Sequence, residues 1–485
     1  MTRRALLSCI KAAALLGIPP WFSRAVAQTS DALQDWLRAA AVPIRTIDAN
    51  DEDYRDLEPL VGRIGDARVV QLGEPSHNAG SCFAAKARLV KFLHQRMGFG
   101  VVVWESGFYD VGLTDAALRA GDDPVVAARR GILANWASSA EVRPLFEHAR
   151  ASKGGDRPLV MAGFDMTLTS PFTSLAAELR SFAVLPQDSA LRAETTAQIE
   201  ELLVAFSALN AYVEALGQIN AKLIDTGSAA ARAEAMASWE RDVGAPLRPR
   251  RKDLMNLQGA VDKAIRLLDR EKVAFAAVAG ERRRGFTVRV IANLGGRAAN
   301  MYERFGVDVT PPPNRVDQEN RRDALNAENL RWLIEEGFPG QKFIIWAHNA
   351  HVMNAYYLGP DFTRVSLGPV ANAMKPHGAY LAEWLGKDLY TIGLSVYEGV
   401  DGWVGLQETK IPPTSEGSIE ARLHQLGLNY AFLDLRAARV TPNHPLLGTL
   451  TVRVPKFDEV QLGNAIGSYD GLLFISRMER ANLIR

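Results

Sequence analysis

The chain has 485 residues, 47% of them hydrophobic and 23% charged, with a formal net charge of +1. This is ordinary globular composition, long enough for one large domain with an insertion or for two domains. The near-neutral balance gives no electrostatic reason to expect nucleic acid or an anionic membrane as a partner, and past the N-terminus no apolar run reaches the roughly 18 residues of a membrane span.

The first 27 residues, "MTRRALLSCIKAAALLGIPPWFSRAVA", place Arg3-Arg4 before Leu6-Leu7, dilute a modest apolar stretch with Lys11, and end in Ala25-Val26-Ala27. An arginine pair, a short apolar region and a small-residue cleavage site read as an export signal of the twin-arginine type, in preference to an attached amphipathic helix. "LLSC", ending at Cys9, has no apolar region before it and is not read as a lipid-attachment box. The expected location is periplasmic, with no stable membrane insertion once the signal is removed. The signal carries Arg3, Arg4, Lys11 and Arg24 and no acid, so its loss turns 56 Lys and Arg and a net +1 into 52 and −3. Cys82 is then the one remaining cysteine, which excludes an intrachain disulfide in an oxidising compartment.

Next come three nearly continuous apolar runs, "ARVVQLGE" (67–74), "FGVVVWES" (99–106) and "PLVMAGFD" (158–165). Strands buried on both faces look like this and predict a parallel sheet covered by helices. Between the first two, Cys82, Ala85, Leu89, Leu93 and Met97 recur at helical steps, which makes a βαβ crossover and puts Cys82 on a buried stripe as a structural thiol. Residues 170–335 are rich in Ala, Leu, Glu and Arg with long helical periodicity. They are read as a helical insertion, a lid over the carboxyl edge of the strands, between core segments 28–169 and 336–485. Its basic clusters "RPRRK" (248–252) and "ERRRG" (281–285) read as solvated helix ends, and "TPPPN" (310–314) is a break. "KFIIWAHN" (342–349) returns to the sheet. "DLYTIGLSVYEG" (388–399), "NYAFLDLR" (429–436) and "YDGLLFISR" (469–477) finish it, the first alternating as a strand with one wetter face does. The fold class is α/β, a mostly parallel sheet flanked by helices.

The polar residues fall at the ends of these strands. Glu74 and His77 follow the first run, Glu105 ends the second, Asp165 the third, and His348 the fourth, with His351 three residues on. In an open parallel sheet all carboxyl ends meet at one edge, where ligands bind. Singly, Glu74 reads as a helix cap, His77 as a turn histidine and Asp165 as a loop brace. Glu105, behind Val101-Val102-Val103-Trp104, needs a partner to stay charged. His94, His148, His377, His424 and His444 are read as surface or packing residues. No Gly-X-Ser-X-Gly elbow, phosphate loop or dinucleotide fingerprint occurs, and the helical register of Cys82 argues against a Cys82–His77 pair. Two chemistries remain open. In one, a histidine draws a proton from water while a carboxylate fixes its tautomer. In the other, His348, His351 and a glutamate bind a metal that activates water.

"LGEPSHNAGSCFAAKARLVKFLHQRMGFGVVVWESGFYD" resembles the erythromycin esterase family in its Gly-Glu-x-x-His loop, the following helix and the strand ending in Glu-Ser-Gly. "GFD" (163–165), "RDALNAENLRWL" (322–333), "WAHNAHV" (346–352), "YTIGLSVYEG" and "YDGLLFI" match later blocks in order, so the resemblance runs from about residue 45 to the end. It implies an α/β core with helical additions and a deep cleft, and hydrolysis of a small-molecule ester or macrolide lactone without metal or other cofactor. It makes His77 the general base, assisted by Glu74, with Glu105, His348 and His351 positioning water and stabilising the tetrahedral intermediate. Lys86, Asp165, Arg322 and Asn329 are carried over as substrate-binding positions. A distant lineage of similar fold that serves haem uptake keeps a haem- or metal-binding role as the alternative. Asn78 stands where the family often has glycine.

Overall fold

A computed structural model describes residues 33–484, apart from 225–228, 307–314, 356–373, 403–407, 442–443, 445, 447–450, 454–458 and 462–465. The expected export signal and the "TPPPN" break lie outside the described residues. Eleven strands are described: β1 (Val42–Pro43), β2 (Val69–Leu72), β3 (Val101–Gly107), β4 (Val160–Asp165), β5 (Phe343–Trp346), β6 (Leu389–Gly402), β7 (Glu408–Ile411), β8 (Tyr430–Asp434), β9 (Thr451–Val452), β10 (Val460–Gln461) and β11 (Gly471–Met478). Nine form one sheet in the order β1-β8-β11-β6-β2-β5-β3-β4, with β7 on β6, while β9 and β10 make a separate ribbon.

From β11 to β4 the six strands are mutually parallel. β8 runs against β11, β1 against β8 and β7 against β6, so the far end of the sheet is mixed. The apolar runs explain why the parallel block lies inside. Val101 and Val103 of β3, with Phe343 and Ile345 of β5, join one core cluster. Val102, Trp104, Ile344 and Trp346 join another. Alternate side chains of one strand point to opposite faces, so both faces of this sheet are covered. Each such side chain contributes about 1.5–3 kcal/mol by leaving water. β6 departs from its expected wet face. Its residues Leu389–Val396 are all buried, and partial exposure begins only at Tyr397. It lies between β11 and β2, and its buried Thr391 hydroxyl is satisfied by Gln71 Nε2 at 2.9 Å.

Between Phe172 and Trp332 the main described elements are helices: Phe172–Ala183, Ser189–Ile224, Ala229–Trp239, Arg251–Arg270, Lys272–Ala279, Glu281–Phe305 and Arg315–Trp332. Leu202, Phe206, Leu267, Ile291 and Leu330 from these helices share a core cluster with Val101, Val103 and Phe164. Among the described residues, no helix is long and apolar enough to cross a membrane.

Candidate active site

The chain order of the strands sets up the site. From β2 it moves out to β3 and β4, returns to insert β5 between β2 and β3, then crosses to β6 on the other side of β2. The loops after β2, β3, β4 and β5 therefore crowd one edge, the crevice where ligands bind in open α/β sheets. Gly73 permits a close approach of the loops after β2 and β5. A Cβ there would lie 2.1 Å from Asn349 Oδ1, and Asn349 itself bonds Leu394 N (3.1 Å), Leu394 O (2.8 Å) and Glu74 O (2.8 Å). Gly73→Ala is expected to destabilise the fold by about 1–3 kcal/mol, as overpacking does, read as a lower urea midpoint.

Glu74 is fully buried and does not cap the helix that follows, Gly80–Met97, whose N-cap is Ala79. One carboxylate oxygen meets His77 Nδ1 at 3.1 Å, and the other contacts Lys86 Nζ. Lys86 is no surface lysine. It is fully buried, with Nζ 3.2 Å from Ala347 O and 4.2 Å above the Trp346 ring. It therefore anchors Glu74 from beneath, which corrects its expected place in direct contact with substrate. His77 keeps about a third of its side chain exposed (32%) and packs edge-on against Trp136 and His348 at 5.0 and 5.4 Å between centroids. Burial pushes the His77 pKa down, so the ring is neutral at neutral pH. Its Nδ1–H then donates to Glu74, and its Nε2 lone pair is the basic one. Asn78 Oδ1 accepts from Asn135 Nδ2 at 2.9 Å, which ties the loop to the Ala134–Ala137 helix.

Glu105, Asp165, Arg322 and His351 form the second half. Arg322 donates to Asp165 Oδ2 from Nε (2.9 Å) and Nη2 (2.6 Å), and from Nη2 to Glu105 Oε1 at 2.9 Å. Asp165 also accepts from Asn326 Nδ2 at 3.1 Å and from Thr167 N at 2.7 Å. Glu105 Oε2 accepts the His348 backbone N–H at 2.9 Å. Burial opposes a charge on Glu105, but His351, His77 and Arg322 outweigh it and hold its pKa well below the usual range. His348 caps the Asn349–Val352 helix. Its Nδ1 accepts from Ala350 N at 3.1 Å and its Nε2–H donates to Pro75 O at 2.9 Å. With burial first and the neighbouring His77 and His351 next, its pKa falls well below normal.

Eight of the nine expected residues thus converge: Glu74, His77, Lys86, Glu105, Asp165, Arg322, His348 and His351. Asn329 does not join them. Its Nδ2 donates to Phe164 O and Asn293 Oδ1, both at 2.8 Å, and its Oδ1 accepts from Arg289 and Asn293, so it braces the helix against β4 rather than facing a ligand. Two residues were missed. Asp323 and His377 are buried beside His351, with Asp323 Oδ1 and Oδ2 each 3.0 Å from His351 Nδ1, and Oδ1 3.3 Å from His377 Nδ1. Arg322, Asp323, Asn326 and Asn329 are spaced as one polar helix face, a pattern the sequence shows but that looks the same as a solvated face.

The metal ligand set expected from sequence, His348 with His351 and a glutamate, is not formed, because both His348 nitrogens are engaged elsewhere. Among the described residues, the group whose donor atoms approach within 4.8 Å of one another is Asp323, His351 and His377. Arg322 Nη1 lies 3.3 Å from His351 Nε2, the ring nitrogen that faces away from Asp323.

Fold and cluster together define an α/β protein equipped for acid–base chemistry at the carboxyl edge of its sheet. The sequence profile of the erythromycin esterase family matches residues 94–478, and the chain belongs to that family. YbfO of Bacillus subtilis, which is named as a hydrolase, is 25% identical over 408 residues, covering 82% of this chain and 80% of its own. Erythromycin esterase type II of Escherichia coli is 21% identical over 421 residues, covering 83% and 88%. Among solved structures, a Bacillus cereus protein superposes with a TM-score of 0.68 at 20% identity over 94% of this chain and 99% of that one. An erythromycin esterase mutant in its open conformation gives 0.60 at 15% over 90% and 96%. These two show the same fold. The chain is a hydrolase of the erythromycin esterase family.

Proposed function

We propose that this hydrolase cleaves a carboxylic ester or macrolide-type lactone in a small molecule by histidine-activated water, without a metal. The observation that carries this reading is the Glu74–His77 pair at 3.1 Å, a carboxylate-oriented neutral imidazole at the cleft. Water gives its proton to His77 Nε2 as its oxygen attacks the carbonyl. Charge developing on the carbonyl oxygen is met by the cationic side of the cluster, Arg322 and His351. The helices of 170–335 act as a lid over this edge, and the protein works in the periplasm after twin-arginine export. The deciding experiment is a hydrolysis screen of purified protein over macrolides, lactones and simple alkyl esters, with and without chelator. Turnover that survives chelation supports the reading, and failure on every ester and lactone overturns it. Stoichiometric metal with chelator-sensitive turnover would favour the second reading, motivated by the Asp323–His351–His377 group. A mature N-terminus at Gln28 in the periplasmic fraction checks export.

A further inference from the structure

Arg297 stands apart from other arginines of its helix. On Glu281–Phe305, Arg283 pairs with Glu178, Arg284 with Asp269 and Arg289 with Glu328. Arg297 forms no ion pair among the described residues, and its Nε is buried without a hydrogen-bond partner. One helical turn earlier Asn293 bonds Asn329, and a Cβ on the adjacent Gly296 would meet Leu325 and Met166. This face of the helix therefore looks onto the Arg315–Trp332 helix and the loop after β4. There Arg297 lines a largely apolar crevice of about 270 Å³ with Phe108 after β3, Asp165 and Leu168 at and after the end of β4, Leu175 and Leu294. Two carboxylates stand near it, but their oxygens are taken up by other donors. Asp165 accepts from Arg322, Asn326 and Thr167 N. Asp110 accepts from Ser170 Oγ, from Thr169 N at 2.6 Å and from Thr169 Oγ1 at 3.1 Å. Burial lowers the Arg297 pKa, and the opposing pull of Asp110 and Asp165 does not restore it. A guanidinium with a buried, unanswered N–H carries a desolvation cost that an incoming acceptor relieves.

We propose that Arg297 recognises a carboxylate carried by the substrate, with the apolar stem of that acid lying along Phe108, Leu168, Leu175 and Leu294. This names a substrate class for the esterase reading above and rests on it. The crevice joins the acid–base cluster through Asp165, which lines it and which Arg322 ties to Glu105. Its size fits one group of a substrate, since pockets for whole drug-sized ligands run to roughly 300–1,000 Å³. The guanidinium fork matches a carboxylate or a phosphate in shape. Charge decides between them. One cation faces Asp165 and Asp110, so a phosphate dianion would bring a second negative charge that nothing in the crevice offsets, whereas a carboxylate brings one. The apolar walls select further, because they suit a carboxylate on a hydrocarbon stem better than a free, fully hydrated anion.

The test compares the monoethyl esters of the straight-chain diacids from succinate to suberate, each against the same ester with an amide in place of the free acid. At the chain length that spans crevice and cluster, wild-type kcat/KM should favour the acid over its amide by about 10-fold or more, as a charge-assisted hydrogen bond does. Arg297→Met keeps the length of the side chain, removes the charge, and should abolish that preference. Should Arg297→Met not fold, Arg297→Lys, which keeps the charge and loses the planar fork, should reduce the same ratio, and an unchanged ratio overturns the proposal. It is overturned equally if no chain length favours the acid, or if Arg297→Met lowers turnover of acid and amide by the same factor, the mark of a mere counter-ion for Asp110. Wild-type protein inactive on every ester would sink the esterase reading and leave calorimetry with hexanoate, hexanamide and inorganic phosphate to decide the crevice. Hexanoate should then bind the wild type, and bind Arg297→Met more weakly by about 10-fold or more. Hexanoate binding no better than hexanamide, or equally to both proteins, overturns the assignment. Phosphate binding more tightly than hexanoate overturns the carboxylate class.

Discussion

Replacing His77 by alanine is expected to lower kcat/KM for ester hydrolysis by about 10²–10⁴-fold, the contribution of a positioned general base. The loss should be confined to activity. His77 is the most exposed member of the cluster, it packs edge-on against Trp136 and His348, and Glu74, which loses the His77 hydrogen bond, keeps Lys86 as its charged partner. The same assignment fixes the sign of the pH dependence. A base must be unprotonated, so activity should fall on acidification only below the ordinary histidine value, because burial has lowered the His77 pKa. Activity should fall again as pH rises through about 9, where His351 loses its proton. Stability follows the His351 part of this profile. Its folded pKa lies above the unfolded value of 6.5, so its contribution is complete below 6.5 and lost as pH rises through about 9. A wild-type kcat/KM profile with an alkaline limb absent up to pH 10, or an acid limb unchanged in His77→Ala, would contradict these roles.

The half of the site built by strand ends was legible because two independent patterns coincide there. An apolar run fixes the strand, and a parallel sheet sends every carboxyl end to one edge, so Glu74, Glu105, Asp165 and His348 could be placed together without any long-range information. The direction of β8 could not be read this way, since a buried apolar run looks the same in a parallel and an antiparallel neighbour. Lys86 was readable in principle. It falls four residues after Cys82 and three before Leu89, on the stripe that the helix buries, and a lysine there demands an anion such as Glu74. Asp323 and His377 were harder, for a physical reason. The helix carrying Asp323 is charged along much of its length, which from sequence alone is indistinguishable from a solvated face, and His377 does not sit at the end of any of the apolar runs that mark the strands. Their meeting with His351 is a tertiary fact, made by where the helices dock.

The largest stability effect is expected at Arg322. Arg322→Met keeps the length of the side chain and removes the charge, and should cost about 3–5 kcal/mol, the usual consequence of stripping one partner from a buried ionic network. The size follows from what is left behind. Asp165 and Glu105 are both buried, at 0% and 5% exposure, and Arg322 Nη2 reaches both, at 2.6 and 2.9 Å. Asn326 and the Thr167 and His348 backbone N–H groups still donate to them, but none carries a positive charge. The cost should therefore be electrostatic, and acid should relieve it. Glu105 has a depressed folded pKa in the wild type, so its contribution is present above the unfolded value of 4.5 and fades as pH falls through the folded one. In Arg322→Met that contribution shrinks, so the gap between the two urea midpoints should be widest at neutral pH and close on acidification below the ordinary glutamate range. Asp165→Asn in the Arg322→Met background should recover part of the loss, because it removes the carboxylate left without its guanidinium while keeping acceptor capacity, whereas Glu105 retains His351 at 3.6 Å. A double-mutant cycle measures that coupling directly. Strictly additive losses would mean that Arg322 stabilises the fold by packing and not by neutralising the two carboxylates.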